Sequence, residues 1–164
     1  MLYIEEFDKE AHLDWIVVND GVMGGRSRSR IEVLDDGTAR FSGTVSLENN
    51  GGFASTRAAL KEPAPSDIAQ IAARVKGDGK RYSFRIRTSG PFSRVSYKMD
   101  FDTQKEEWTT HEFNLADFIP TFRGRTLEGV PPVEAAGIRE VGFLIADKQE
   151  GGFVLFVDWI RGLK

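Results

Sequence analysis

Two glycine-rich loops carry the side chains best suited to recognising a ligand. The first, Asn19-Asp20-Gly21-Val22-Met23-Gly24-Gly25, sets an amide and a carboxylate among glycines, with Met23 as an apolar contact. The second, Glu48-Asn49-Asn50-Gly51-Gly52, leads into Phe53 and Arg57. Planar polar groups beside an aromatic ring suit sugar hydroxyls or a peptide backbone. Asn and Asp next to glycine also close turns by bonding their own backbone, so a purely architectural role stands beside the binding one. If the loops form a site, Asn19, Asn50 and Arg57 should line one cleft. A phosphate cradle is a poor fit, because the glycine spacing is neither of the Rossmann nor of the P-loop kind and the following Arg26 to Val33 alternates like a strand.

Arginines recur at alternate positions in two segments, Arg26, Arg28 and Arg30 in one and Arg81, Arg85 and Arg87 in the other. Each set shares a face of its strand. If the two strands lie in one sheet, they form a basic surface able to meet phosphate or an acidic partner, and otherwise cross-strand acids balance them. Tyr82 and Phe84 alternate with the second set and face away from it, so the stacking platform that single-stranded nucleic acid uses is absent there and nucleic acid is not an expected partner.

Catalytic chemistry finds little support. The two histidines, His12 and His111, are far apart in sequence and no cysteine is present, so neither a thiolate metal site nor a disulfide is available. Asp100-x-Asp102 and Gly77-Asp78-Gly79 offer loop oxygens of the kind calcium takes, without the EF-hand pattern. Adjacent acids such as Asp35-Asp36 and Glu106-Glu107 point to opposite faces of an extended chain. No nucleophile has an identifiable base. A non-catalytic binding module without metal or cofactor is expected.

The elements that must position these residues read as strands. Phe41, Val45 and Leu47 alternate with polar neighbours, as do Tyr82, Phe84 and Ile86, and Val95, Tyr97, Met99 and Phe101. Asp36-Gly37, Asn50-Gly51 and Asp78-Gly79 supply turns. Ile138 to Ala146 and Gly152 to Ile160 are more continuously apolar, as central strands covered on both faces would be. Pro65 to Ile71 and Asn114 to Phe118 each suit one or two helical turns, the second capped by Asn114 and ended by Pro120. Trp15, Trp108 and Trp159 are expected in or near the core, with Trp108 the most exposed. The pattern predicts an all-β antiparallel sandwich or jelly roll over residues 1–164, one domain.

Of the 164 residues, 22 are Lys or Arg and 25 are Asp or Glu, a formal charge of −3 that gives no global attraction for nucleic acid or anionic lipid. No apolar run reaches the ~20 residues of a spanning helix. The first residues lack the features of a signal peptide, so a cytoplasmic location is expected.

Trp15 to Ser27, with Asn19-Asp20-Gly21-Val22-Met23-Gly24-Gly25 at its centre, resembles the opening segment of the complex I intermediate-associated protein family. Phe41-Ser42-Gly43, Leu47 to Ser55 with Arg57, Lys76-Gly77-Asp78-Gly79 with Tyr82, Phe122-Arg123-Gly124-Arg125 and Asp158-Trp159-Ile160 extend the likeness along nearly the whole chain. The resemblance implies a galactose-binding-like jelly roll and a protein partner, a respiratory-chain subunit, in an assembly-factor or chaperone-like role at respiratory complex I or another membrane complex. It brings no catalytic residues. Arg123, in the Phe122 to Arg125 segment, joins Asn19, Asp20, Met23, Glu48, Asn49, Asn50 and Arg57 as a candidate binding residue. The fold analogy leaves a carbohydrate-binding module as the alternative.

Overall fold

The computed structural model describes residues 2–164, apart from the side chains of Val22, Met23 and Asn50. Its strands are β1 (Leu2–Glu5), β2 (Trp15–Asn19), β3 (Arg28–Val33), β4 (Ala39–Val45), β5 (Ala54–Ala59), β6 (Gln70–Lys76) and β7 (Arg81–Thr88). They continue as β8 (Ser96–Asp102), β9 (Trp108–Asn114), β10 (Ile119–Phe122), β11 (Arg125–Thr126), β12 (Ile138–Ile145) and β13 (Gly151–Leu163). A six-stranded sheet runs β3-β4-β13-β6-β9 with β1 added on β13, and a seven-stranded sheet runs β11-β10-β8-β7-β12-β5-β2. Every strand pair is antiparallel. The expected all-β antiparallel sandwich is therefore the fold.

Alternation builds the core. Phe41, Val45, Ile71, Val75, Leu155 and Val157 face inward from one sheet, and Tyr82, Phe84, Ile86, Val141, Phe143 and Ile145 from the other, all fully buried. Their rings interlock, with Phe84 edge-on to Phe143 at 5.2 Å and tilted against Phe113 at 5.7 Å. Each such side chain contributes about 1.5–3 kcal/mol by leaving water. The two long apolar segments are central, β12 between β7 and β5 and β13 between β4 and β6. Both are fully covered on their inner face only, and Val154, Phe156 and Leu144 on the outer face are part exposed.

Three β-bulges break the two-residue period, and each re-aims a side chain. In β12 the register shifts between Ile138 and Glu140, so Ile138 and Val141 both face the core while Glu140 faces out. In β13 a shift between Val157 and Trp159 turns Trp159 outward and Ile160 inward. In β1 a shift between Tyr3 and Glu5 leaves Tyr3 exposed and turns Glu5 in. The Glu5 carboxylate, 1% exposed, accepts hydrogen bonds from the backbone N–H groups of Glu6, Phe7, His12 and Leu13 and from Trp15 Nε1 at 2.8–3.2 Å. It thereby shapes the whole β1–β2 connection.

Several local expectations give way to long-range pairing. The Pro65 to Ile71 segment holds a turn closed by Ile68 N–H on the Pro65 carbonyl and then enters β6, because Ala69 bonds Leu163 and Leu115 across the sheet. Leu115–Asp117 is a single 3-10 turn, and Asn114 does not cap it with its side chain but donates to the Asp117 carboxylate at 3.2 Å. Pro120 lies inside β10. Leu47 falls beyond the end of β4 and is exposed. At the Asn50-Gly51 turn, positive φ belongs to Asn49 and Gly52.

A second buried carboxylate joins the two glycine-rich loops. Asp20 is 1% exposed and accepts hydrogen bonds from Ser27 N–H at 2.8 Å, Ser27 Oγ, Gly52 N–H at 2.7 Å and Phe53 N–H at 3.3 Å. A Cβ at Gly25 would lie 2.4 Å from its side chain, and one at Gly51 2.6 Å, so glycine is required for the loops to close on it. Burial pushes the Asp20 pKa up, but the bonds from Ser27, Gly52 and Phe53 outweigh it and hold the group below its ordinary value.

A folded-state pKa below the unfolded one adds stability that is complete above the unfolded pKa and is lost as pH falls through the folded one. Asp20→Asn should therefore cost about 3 kcal/mol at neutral pH, lowering Tm by roughly 6–12 °C. The gap between variant and wild type should begin to narrow below about pH 4. Thermal melts of the two proteins at several pH values check both the size and the sign.

Candidate functional site

The loops named from sequence form a knot, with their polar groups turned on one another. Asn19 Oδ1 accepts from Ser29 Oγ at 2.7 Å and from Ser55 N–H at 3.4 Å, tying β2 to β3 and β5. Asp20 is spent on the four bonds described above. Glu48 and Asn49 are exposed, and Glu48 pairs with Arg26 at 3.5 Å. The side chains of Met23 and Asn50 lie outside the described residues. The architectural role weighed for these loops is thus the one Asn19 and Asp20 perform. Asn19 and Arg57 do not share a cleft. Asn19 pairs with the inward-facing Ala54 and Arg57 pairs with Ile16, so they point to opposite faces of the seven-stranded sheet. Arg123 lies on the β10–β11 turn, at the other edge of that sheet, with its guanidinium 5.3 Å from the Phe122 ring centre.

The two arginine sets also separate. Arg28 and Arg30 stand on β3 of the six-stranded sheet, with Arg26 just before it, whereas Arg81, Arg85 and Arg87 stand on β7 of the seven-stranded sheet. No single basic face joins them. Arg30 and Arg40 both meet Glu32 at 2.7 Å, and Arg81 meets Asp102 at 3.0 Å, so much of this charge is balanced locally.

The outer face of the seven-stranded sheet has a different character at its centre. Small residues floor it: Ser83, Thr121 and Gly142 point outward and are nevertheless buried. A Cβ on Gly142 would fall 2.3 Å from the Thr56 carbonyl oxygen and 2.9 Å from Arg57 Cβ, which explains the glycine. Over this floor lie Arg57, Arg85, Arg87 and Lys98. Arg85 donates from Nε to Ser83 Oγ at 2.8 Å and from Nη1 to Ser96 Oγ at 3.1 Å, and among the described residues no carboxylate pairs with it. Burial lowers the pKa of Arg85, and burial together with the neighbouring Arg57 charge lowers that of Arg87. Glu140, turned outward by the β12 bulge, stands 3.7 Å from Arg57 Nε and 3.9 Å from Arg87 Nε. These are ion-pair separations too long for hydrogen bonds, and Glu140 Oε2 and Arg57 Nε are both buried without a hydrogen-bond partner. Sequence reading named Arg57, Arg85 and Arg87 but missed Glu140, Lys98 and Gly142, which only strand pairing brings to them.

On the outer face of the six-stranded sheet, aromatic rings alternate with cations. Lys76 Nζ lies 4.6 Å from the Phe156 ring centre and 5.2 Å from that of Trp108, and Arg74 lies 4.7 Å from Trp108. Arg161 lies 3.9 Å from Trp159 and 4.8 Å from Tyr3. Trp15 packs near the core as expected, against Phe7 at 5.6 Å, but Trp108 and Trp159 stand on this outer face, half exposed. Strict alternation from Leu155 and Val157 would turn Trp159 inward; the register shift between Val157 and Trp159 turns it out.

Among the described residues no three His, Asp or Glu side chains stand close enough to hold a metal ion, and no helix is long and apolar enough to cross a membrane. His111, half-buried beside Phe101, has its pKa pushed down by burial.

Residues 5–157 match the family described as Complex I intermediate-associated protein 30. An uncharacterized protein of Schizosaccharomyces pombe is 30% identical over 92% of this chain and 78% of its own length. The mitochondrial complex I intermediate-associated protein 30 of Mus musculus is 27% identical over 94% of this chain, which spans only 54% of the mouse protein. In three dimensions the chain is similar to a family 11 carbohydrate-binding module of Clostridium thermocellum, with a TM-score of 0.72 at 18% identity, covering 98% of this chain and 92% of the module. A family 11 module solved with a mixed-linked tetrasaccharide gives a TM-score of 0.71, also at 18% identity, with 99% and 94% covered. At that identity the likeness concerns the sandwich fold alone. The match along residues 5–157 settles the affiliation: this chain belongs to the complex I intermediate-associated protein 30 family.

Proposed function

We propose that the chain is a non-catalytic protein-binding module, an assembly factor or chaperone-like protein acting on a subunit of respiratory complex I or of another membrane complex. The observation that carries this reading is the set of part-exposed aromatics and cations on the outer face of the six-stranded sheet. Trp, Tyr and Arg dominate the energetics of protein interfaces, because they bring large, stiff contact area with a polar or charged tip. Here the cations lie against the rings, so the surface is already ordered and little side-chain freedom remains to be lost on docking. The family name supports the same partner class.

The alternative, a carbohydrate-binding module, draws on the fold likeness. Pyranose rings stack on open aromatic faces. The outward residues of β2, β5, β12, β7, β8 and β10 include no aromatic, and on the other sheet Trp108, Phe156 and Trp159 have Lys76, Arg74 or Arg161 over them. Protein binding is therefore the better reading.

Affinity capture from the native host should recover subunits of a respiratory membrane complex. Phe156→Ala and Trp159→Ala should each weaken that capture by about 30-fold while Tm stays within a few degrees of wild type. Failure to recover any such subunit from a host that encodes the complex would contradict the proposal, and retention on a glycan array would favour the alternative.

A further inference from the structure

The register of the seven-stranded sheet sets one residue from each of six strands into a single outward row. Ile16 pairs with Arg57, Arg57 with Gly142, Gly142 with Arg85, Arg85 with Lys98 and Lys98 with Ile119. The row thus reads apolar, cation, glycine, cation, cation, apolar. Ile16 and Ile119 at its ends are 52% and 41% exposed, unusual for isoleucine. In the middle, Gly142 brings no side chain of its own and Arg57 packs closely over it, so the two guanidinium-bearing strands flank a floor without a side chain. Arg87 and Glu140 stand beside it, with their loose ion pairs and the unpartnered Arg57 Nε. Counting Arg57, Arg81, Arg85, Arg87 and Lys98 against Glu140, Asp100 and Asp102, cations exceed acids on this face of a chain whose formal net charge is −3, although Asp102 holds Arg81 and Asp100 holds Lys98 at 3.2 Å.

We infer that this row is a docking trough for an extended acidic segment of a partner protein, with carboxylates over Arg57, Arg85 and Lys98 and an apolar residue at each end on Ile16 and Ile119. Charge complementarity selects the acidic centre, since a carboxylate laid over Gly142 gives Arg85 the bidentate partner it lacks and Arg57 a closer one than Glu140. Five strand spacings of about 4.8 Å make the row about 24 Å long, which an extended peptide of about seven residues spans. A pyranose chain has no ring to stack on here, which separates a peptide from an acidic glycan. The inference rests on the protein-binding reading above but uses the opposite sheet. Its failure is therefore distinguishable: Phe156→Ala and Trp159→Ala leave the trough intact.

The test is fluorescence anisotropy with a labelled peptide of about seven residues, acidic throughout its centre and ending in leucine on both sides. Its controls are the same peptide with Gln and Asn replacing the acids, and an oligogalacturonate. The acidic peptide should bind wild-type protein, with affinity falling as salt rises, and the neutral peptide should bind at least about tenfold more weakly. Arg85→Gln should weaken binding by about tenfold or more. Lys98→Gln and Ile119→Ser, at positions part or well exposed and so safe for folding, should each weaken it several-fold, and Phe156→Ala not at all. Equal binding of acidic and neutral peptides, or unchanged affinity in Lys98→Gln and Ile119→Ser, would overturn the proposal. Tighter binding of the oligogalacturonate would reassign the trough to an acidic glycan.

Discussion

A strand gives alternate residues to its two faces, and everything this protein offers to the outside follows from where that rule holds and where it is broken. On β7 and β8 it holds, and Tyr82, Phe84, Ile86, Tyr97 and Phe101 fill the core while Arg81, Arg85, Arg87 and Lys98 are sent out together. Aromatic burial and the cationic face are two consequences of one register. A slip by one residue would exchange them, and the loss of the interlocked rings forbids it.

The bulges supply what strict alternation would withhold. At β12 the extra residue turns Glu140 out between Arg57 and Arg87, and at β13 it turns Trp159 out beneath Arg161. At β1 the same device acts inward and sets Glu5 to gather five donors. Glu5 and Asp20 then do for the loops what the core does for the strands. Each satisfies a group of backbone amides that would otherwise be buried without partners, and so fixes the β1–β2 and β2–β3 connections without a disulfide, the chain having no cysteine.

Much of the fold was legible because alternation is local. Phe41 and Val45, Tyr82 to Ile86, and Tyr97 with Phe101 announce inward faces, and the apolar density of β12 and β13 announces their central places. The surfaces were harder to read. Arg28 and Arg85 look alike in sequence and end in different sheets, because sheet membership depends on pairings between distant segments. Glu140 and Trp159 each follow a bulge, which leaves no clear mark in a single sequence and inverts every inference drawn past it. The Asn19 to Gly25 and Glu48 to Arg57 loops were visible as a related pair, but the backbone bonds that Asp20 accepts across both were not.

Protein binding by the outer face of the six-stranded sheet is read directly by a photo-cross-linking residue placed at position 156 in the native host. The side chain there lies beside Lys76 on the outer face, within reach of whatever docks. The expected result is a covalent adduct with a protein subunit of a respiratory membrane complex, lost when Trp159 is replaced by alanine. An adduct formed only with glycan, or a protein adduct indifferent to Trp159, would contradict it.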